Sequence, residues 1–171
     1  ILLAAEGEGR NAVYAASIGW EVFAYDFSEF AYKKAMKLAT EKEVSINYQI
    51  GSLSDLEFRD NFFDAIGLIY VHFPDNIRRP NHQHLTKLLN PHGTIILEAF
   101  SKNHLNYQKL NPGVGGPKIP NQLYDSMELS NDFERFDMVE LKEEVIELAE
   151  GTFHLGQSSV VRMLAKKRGD N

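Results

Sequence analysis

The sequence predicts a doubly wound α/β fold, with a mostly parallel sheet of seven strands that ends in a C-terminal antiparallel hairpin. Three observations support this fold class. Short apolar runs alternate with helical patterns over residues 1–100. A glycine turn, Gly7–Gly9, separates the first apolar run from the first helical pattern. Two long segments, about 137–148 and 153–166, are joined by a few residues only, which is too short for a parallel crossover.

The first part of the chain contains the predicted strands 1–4, 21–25 and 46–50. A helix at 11–18 follows the glycine turn, and Gly19 is expected to end it as the C′ residue. Ser28 is expected to cap the next helix. Its apolar face is formed by residues that recur at helical spacing, namely Ala31, Ala35, Leu38 and Ala39.

The second part begins with a buried strand at 63–71 and a helix that directs Leu85, Leu88 and Leu89 inward. Pro80 is expected in the first turn of that helix or at a kink. A turn at 90–93 and a buried strand at 94–99 follow. We expect a long glycine- and proline-rich loop over 101–122 and a short helix over 126–133.

Composition narrows the class of protein. The chain has 171 residues and a formal net charge of −6, which suits one domain over 1–171 and argues against a nucleic-acid backbone as partner. It has no cysteine, so no disulfide or thiolate metal site is expected, and we predict a cytoplasmic protein without a membrane span. Monomer and dimer both remain open. Because Ile1 lies within a core-type strand, we expect an N-terminal part to be missing.

The glycine turn and Asp26 together predict a nucleoside site. Glycines allow the backbone to approach a ligand, and a carboxylate at the end of the second strand is placed to accept ribose hydroxyls. Gly7, Gly9 and Ala12 also fit the dinucleotide fingerprint, so an NAD(P)-dependent oxidoreductase is one alternative. Glu6 and Glu8 flank the glycines and would repel a pyrophosphate. A ligand without phosphate, carrying a sulfonium and an ammonium, tolerates them better.

A series of segments resembles class I S-adenosylmethionine-dependent methyltransferases, and more narrowly the branch related to tellurite-resistance and thiopurine methyltransferases. The matching segments lie at 5–12, 21–28, 63–74, 89–100, 115–117 and 150–154. There are departures. Leu3 and Ala5 replace the usual acid-x-Gly, and Ser52 replaces the acid often found beside the adenine. The helices that precede the first strand in the family are absent.

The resemblance implies a Rossmann-like class I methyltransferase fold with S-adenosylmethionine as cofactor. Asp26 is expected to bind the ribose, Phe27 the adenine, and the start of the first helix the methionyl carboxylate. The expected cofactor-binding residues are Ala5, Gly7, Gly9, Arg10, Asn11, Asp26, Phe27, Ser52, Leu53 and Tyr70. The expected acceptor-binding residues are Tyr107, Gly115, Gly116 and His154.

The predicted activity is transfer of a methyl group to a small molecule such as a thiol or a chalcogen oxyanion. His72, at the end of the fourth strand, is the candidate general base for an oxygen or nitrogen acceptor. A thiolate or reduced chalcogen would need no base. Besides the oxidoreductase, a non-catalytic module with a methyltransferase-like fold is the second alternative.

Overall fold

The computed structural model describes residues 1–149 and 155–169. Its sheet has seven strands in the order β3-β2-β1-β4-β5-β7-β6. Strands β1 to β5 pair in parallel, whereas β7 is antiparallel to both β5 and β6. The predicted fold class, with its antiparallel C-terminal hairpin, is therefore confirmed. No helix within these described residues is long and apolar enough to cross a membrane.

The element bounds lie close to those expected. The strands are β1 (Leu2–Leu3), β2 (Phe23–Asp26), β3 (Asn47–Ile50), β4 (Phe63–Ile69), β5 (Leu89–Phe100), β6 (Phe136–Ala149) and β7 (Leu155–Lys167). The helices are α1 (Arg10–Ser17), α2 (Glu29–Glu41), α3 (Asp75–Leu88), α4 (His104–Leu110) and α5 (Ser126–Asp132). Short 3-10 turns lie at Leu53–Asp55, Pro112–Val114 and Pro120–Gln122.

Local signals set the ends of the early helices as expected. The Ser28 hydroxyl accepts a hydrogen bond from the amide of Ala31 and caps α2. Gly19 follows α1 with φ +98°, a conformation that glycine adopts without strain. Both faces of the sheet are covered near these helices. One buried cluster packs α1 and α2 against β1 and β2, and a larger cluster lies on the opposite face around β4, β5 and β7.

Three expectations about the second half are corrected. The segment 101–122 is not an open loop, since it contains α4 and two 3-10 turns. Pro80 lies in the second turn of α3 rather than the first. The strand β5 begins already at Leu89, and residues 90–93 form an interruption in its pairing with β4, where Phe63 pairs with Leu89 and Ala65 with Thr94. Proline and glycine in this interruption suggested a separate turn from sequence alone.

A buried ionic network joins α3 to α5. The Asp132 carboxylate accepts hydrogen bonds from Arg78 Nε at 3.3 Å and from His82 Nδ1 at 2.9 Å. Arg78 also donates to Glu128 at 3.1 Å and lies over the ring of Tyr124. Burial raises the pKa of Asp132, but the hydrogen bond from His82 and the charge of Arg78 outweigh it and hold that pKa below its usual range. Asp132 is therefore ionised at neutral pH.

Replacing Asp132 by alanine is expected to destabilise the fold strongly. Arg78 and His82 are buried, and removal of their shared acceptor leaves the His82 Nδ1 donor without its partner and the buried charge of Arg78 with Glu128 alone. We expect a loss of about 3–5 kcal/mol in the free energy of unfolding, measured by urea denaturation. Glu134→Ala is the matched control, because its pair with Arg79 is exposed and is worth less than about 1 kcal/mol. Equal losses in the two variants would contradict this interpretation.

Candidate functional site

The turn after β1 has the backbone shape that a close-fitting ligand requires. Ala5, Gly7 and Gly9 all have positive φ, at 46°, 65° and 84°. A Cβ added to Gly7 would have no heavy atom within 4 Å, so this glycine faces open space. A Cβ on Gly9 would lie 2.5 Å from the Cβ of Ala35. Gly7 therefore opens the turn toward a ligand, while Gly9 allows α1 to pack closely on α2.

Asp26 connects this turn to the start of α2. One carboxylate oxygen accepts the amide of Gly7 at 3.1 Å, and the other accepts the amide of Ser28 at 2.9 Å. The side chain is buried, with 8% exposure for the residue. Each carboxylate oxygen has a second acceptor site. The geometry therefore combines a structural role with the capacity to accept two hydroxyl groups.

The other side chains expected to contact the nucleoside surround Asp26. Phe27 is 82% exposed, which leaves its ring accessible to a flat ligand. Gly51, directly before Ser52, donates its amide to the carbonyl of Asp26. The Ser52 amide and hydroxyl are both bonded to Asp55. Leu53 is buried and thus belongs mainly to the core.

Glu6 occupies the start of α1, where the sequence predicted free amides for a ligand carboxylate at Arg10 and Asn11. Its Oε1 accepts the amide of Ala12 at 2.8 Å, so that amide is not free. Arg10 and Asn11 are exposed in the first turn of α1. Burial raises the pKa of Glu6 to about 7, although the hydrogen bonds at the helix start oppose the shift. This contact occupies the amide of Ala12, while the binding of a ligand carboxylate at Arg10 and Asn11 stays a prediction.

Tyr70 and His72 follow β4 at the same edge of the sheet. The Tyr70 hydroxyl donates to Glu98 at 2.7 Å, and Tyr70 has φ 55°. His72 Nδ1 lies 2.7 Å from the carbonyl of Gln122, and its Nε2 lies 3.4 Å from the amide of Phe100. A carbonyl requires a donor and an amide requires an acceptor, so the proton is on Nδ1. Burial lowers the pKa of His72 to about 4.

The segment expected to border the acceptor is held by side chains of α4. Gln108 donates to the carbonyls of Gly115, Gly116 and Pro117. A Cβ on Gly116 would lie 2.7 Å from the ring of Phe100. Gly115 and Gly116 thus form a tight turn against β5. Tyr107 lies at a groove of about 630 Å³ together with residues of β6 and β7, whereas His154 lies outside the described residues.

The structure brings the expected cofactor residues together in two groups. Gly7 and Gly51 are joined to Asp26 by direct hydrogen bonds, and Tyr70 with His72 forms a second group. Adjacent strands β1 and β4 place both at one edge of the sheet. Tyr48 was not among the residues expected from the sequence, and its hydroxyl donates to the carbonyl of Gly7 at 2.6 Å. Its only sequence signal is its place on β3, next to the strand that carries Asp26.

Fold and site together define a class of protein, the Rossmann-like methyltransferases, and comparisons with known proteins agree. The methyltransferase domain family matches residues 1–93. A relative in Schizosaccharomyces pombe, the uncharacterized methyltransferase C977.03, is 29% identical over 97 residues, which covers 56% of this chain and 67% of that protein.

Solved structures share the fold. A SAM-dependent methyltransferase from Methanosarcina mazei has a TM-score of 0.76 at 15% identity and covers 99% of this chain and 92% of that chain. TehB from Haemophilus influenzae has a TM-score of 0.75 at 16% identity, with 98% of this chain and 57% of that chain covered. At these identities the likeness concerns the fold.

The chain belongs to the methyltransferase domain family, and it is an S-adenosylmethionine-dependent methyltransferase. The site fits this cofactor. Gly7 leaves open space beside the main chain, Asp26 retains acceptor capacity, and two carboxylates, Glu6 and Glu8, adjoin the glycines of the turn. The family match favours this class over the oxidoreductase and the non-catalytic module.

The role of Asp26 in ribose binding is testable with ligands that differ in the ribose alone. We expect the wild-type protein to bind 5′-methylthioadenosine about 10-fold or more tightly than its 2′-deoxy form, because hydrogen bonds to a charged group contribute about 1.5–3 kcal/mol. In Asp26→Ala this preference should disappear, as measured by calorimetry. Ser28→Ala, which removes only the α2 cap, should retain the preference. An unchanged preference in Asp26→Ala would exclude the ribose role.

Glu6 should make stability depend on pH in a defined direction. Between about pH 4.5 and 7 the unfolded chain releases this proton while the folded chain keeps it, so the wild type loses stability as pH rises. Glu6→Gln lacks this loss and should gain about 2–3 kcal/mol relative to wild type between pH 4.5 and 7.5. The measurement is urea denaturation of both proteins across that range.

Wild type has to be compared with Glu6→Gln because His72 makes the stability depend on pH in the opposite direction. Its lowered pKa contributes stability that is present above its ordinary pKa of 6.5 and is lost as pH falls toward 4. The two windows overlap, so the wild-type curve alone is uninformative. His72 is present in both proteins and cancels from the difference. Parallel stability curves for wild type and Glu6→Gln would show that Glu6 has an ordinary pKa.

Proposed function

We propose that this methyltransferase acts on a small molecule with a soft nucleophile, a thiolate or a reduced chalcogen. The observation that supports this acceptor class is the position of His72. Both of its ring nitrogens are bonded to the main chain, one to Gln122 and the other to Phe100. The histidine that was the candidate general base therefore has no nitrogen free to remove a proton from an acceptor.

The acidity of His72 leads to the same proposal. A general base works best when its pKa lies near the working pH, but burial lowers the pKa of His72 to about 4. An amine or a hydroxyl acceptor would have to lose its proton by another route. A thiol with a pKa of about 8.5 is already partly ionised near neutral pH, and its thiolate is strongly nucleophilic. Such an acceptor needs position rather than a base.

The residues at the sheet edge are suited to positioning. When bound, S-adenosylmethionine supplies an electrophilic methyl group on a positively charged sulfur. The glycine turn and Asp26 hold the main chain that faces the nucleoside. His72 fixes Gln122, and Gln108 fixes the turn at Gly115–Pro117, so segment 101–122 forms a wall of the acceptor side. Orientation of two reactants in this way supplies a large part of a rate enhancement.

The similarity of the sequence to the tellurite-resistance and thiopurine branch supports the same acceptor class. Tyr107, Gly115, Gly116 and His154 remain the proposed acceptor-side residues. Gly115 and Gly116 act in this proposal through the shape of the turn, since their carbonyls are used by Gln108. Ser52 and Leu53 border the adenine, and Tyr70 closes the edge between β4 and β5.

The proposal is tested with acceptors of matched shape. Methyl transfer from radiolabelled S-adenosylmethionine to thiophenol, phenol and aniline should be detected for the thiol, with kcat/KM at least 100-fold higher than for the other two. With two thiols of different acidity, the pH at which the rate levels off should follow the pKa of each thiol. His72→Phe keeps a ring against Phe100 and should leave that pH profile unchanged.

Two results would refute the soft-acceptor proposal. One is methylation of phenol or aniline with a kcat/KM comparable to that of thiophenol. The other is a break in the pH profile that is the same for both thiols and is lost in His72→Phe, since this would identify His72 as a base. Tellurite and selenite, tested in the presence of a reductant, extend the panel to chalcogens.

A further inference from the structure

The carboxylate of Glu6 lies between the glycine turn and helix α1. Oε1 accepts the amide of Ala12 at 2.8 Å, and Oε2 lies 3.5 Å from the side-chain amide of Asn11. The backbone on both sides is held in place, because the Glu6 amide donates to the carbonyl of Tyr25 and the Gly7 amide donates to Asp26. The Glu6 carboxyl group is thus held at the start of α1, one residue before Gly7, beside which there is open space.

This position is the one in which α/β nucleotide-binding proteins place a ligand anion. Free amides at the start of the helix after a glycine turn bind phosphate or carboxylate, helped by the helix dipole. Here the protein supplies its own anion. A phosphate at the same place would have to displace Glu6 from the Ala12 amide and would remain close to its charge. A ligand cation near the turn would instead be attracted.

We propose that Glu6 selects the cofactor, acting as the counter-ion of the ammonium group of S-adenosylmethionine and excluding phosphate-bearing nucleotides from the glycine turn. The proposal concerns cofactor selection and holds for any methyl acceptor. It assigns Glu6 as a specificity-determining residue for the cofactor. Leu3 is buried beneath α1 and takes no part in recognition.

The charges around the turn are consistent with this assignment. Glu8, the other acid of the turn, is half-exposed and pairs with Lys34 at 2.7 Å, so its charge is largely compensated by the protein. Asp26 is bonded to two amides. Arg10 favours the ionised form of Glu6. Within residues 1–149 and 155–169, Glu6 is therefore the acid of the turn that accepts from a main-chain amide and has no cationic side chain in hydrogen-bond contact.

Binding of three adenosine ligands tests the proposal by calorimetry at pH 8. S-adenosylhomocysteine carries the amino-acid group with its ammonium, 5′-methylthioadenosine lacks that group, and AMP carries a phosphate. In Glu6→Gln the affinity for S-adenosylhomocysteine should fall about 10-fold or more, while that for 5′-methylthioadenosine changes less than 2-fold. Affinity for AMP should rise. Glutamine keeps the volume and an oxygen acceptor for the Ala12 amide, so the turn is preserved.

Glu8→Gln is the matched control. It removes one negative charge from the same turn, but that charge is paired with Lys34. The ratio of affinities for S-adenosylhomocysteine and 5′-methylthioadenosine should stay within 2-fold of wild type. A fall of this ratio equal to that in Glu6→Gln would show that overall charge, and not Glu6, selects the ligand, and would overturn the proposal.

A pH series gives a second readout that a purely structural role would not change. In wild type, the ratio of the two affinities should fall several-fold between pH 8 and pH 6 as Glu6 takes up a proton, and in Glu6→Gln it should stay constant. Ionisable groups that interact with Glu6 or with its turn include Arg10 on α1, Asp26 on β2 and Tyr48 on β3. All three are present in both proteins and cancel in the comparison.

Different results would contradict the role of Glu6, the proposed acceptor class and the cofactor assignment. If Glu6→Gln weakens S-adenosylhomocysteine and 5′-methylthioadenosine by the same factor, Glu6 only shapes the turn and the proposal is wrong. An unchanged affinity for S-adenosylhomocysteine also overturns it. If the wild-type protein binds S-adenosylhomocysteine but methylates no thiol, only the acceptor proposal fails. If it binds no adenosyl ligand, the cofactor assignment fails and this inference fails with it.

Discussion

The geometry of the site depends on one carboxylate that holds two separate pieces of backbone. Asp26 ends β2 and bonds the Gly7 amide of the turn after β1 as well as the Ser28 amide that starts α2. Neighbouring parallel strands end at the same edge of the sheet, so such a link is possible only there. Tyr48 adds a second link through the carbonyl of Gly7.

A comparable arrangement fixes the other half of the edge. His72 is bonded to β5 through the Phe100 amide and to the segment after α4 through the Gln122 carbonyl. Its ring also stacks on Phe100, with centroids 5.6 Å apart. A histidine that is buried and bonded in this way stays neutral, and its lowered pKa makes it a weak base. In the proposed function the site therefore acts by orientation, with an intrinsically reactive cofactor and a nucleophile that ionises without a base.

The two acids of the glycine turn illustrate how similar residues acquire different roles. Glu8 reaches the surface and pairs with Lys34, whereas Glu6 turns inward to the start of α1. From the sequence alone, both carboxylates are expected to repel a pyrophosphate. In the structure Glu6 is the acid that matters most for an anionic ligand, because its carboxylate already accepts the Ala12 amide at the start of α1. The α1 dipole then stabilises a residue of the protein instead of a ligand phosphate.

Much of the fold follows from local signals in the sequence. The alternation of apolar runs with helical patterns, the Ser28 cap, the glycine at 19 and the short connection before β7 predict the sheet and its antiparallel end, since each acts over a few residues. Segment 101–122 was harder to predict. Its glycines and prolines indicate a loop, but contacts of His104 and Gln108 with the turn at Gly115 stabilise a short helix within it.

The sequence by itself determined the class of ligand and the residues placed at the sheet edge, because strand ends and turn glycines are encoded locally. Only the tertiary structure decided what those residues bond to. The partners of His72, Asp26 and Tyr48 lie 50, 19 and 41 residues away along the chain, and no local pattern specifies such pairs. Burial sets the pKa values of His72 and Glu6, because packing removes the solvent that would stabilise their charged forms.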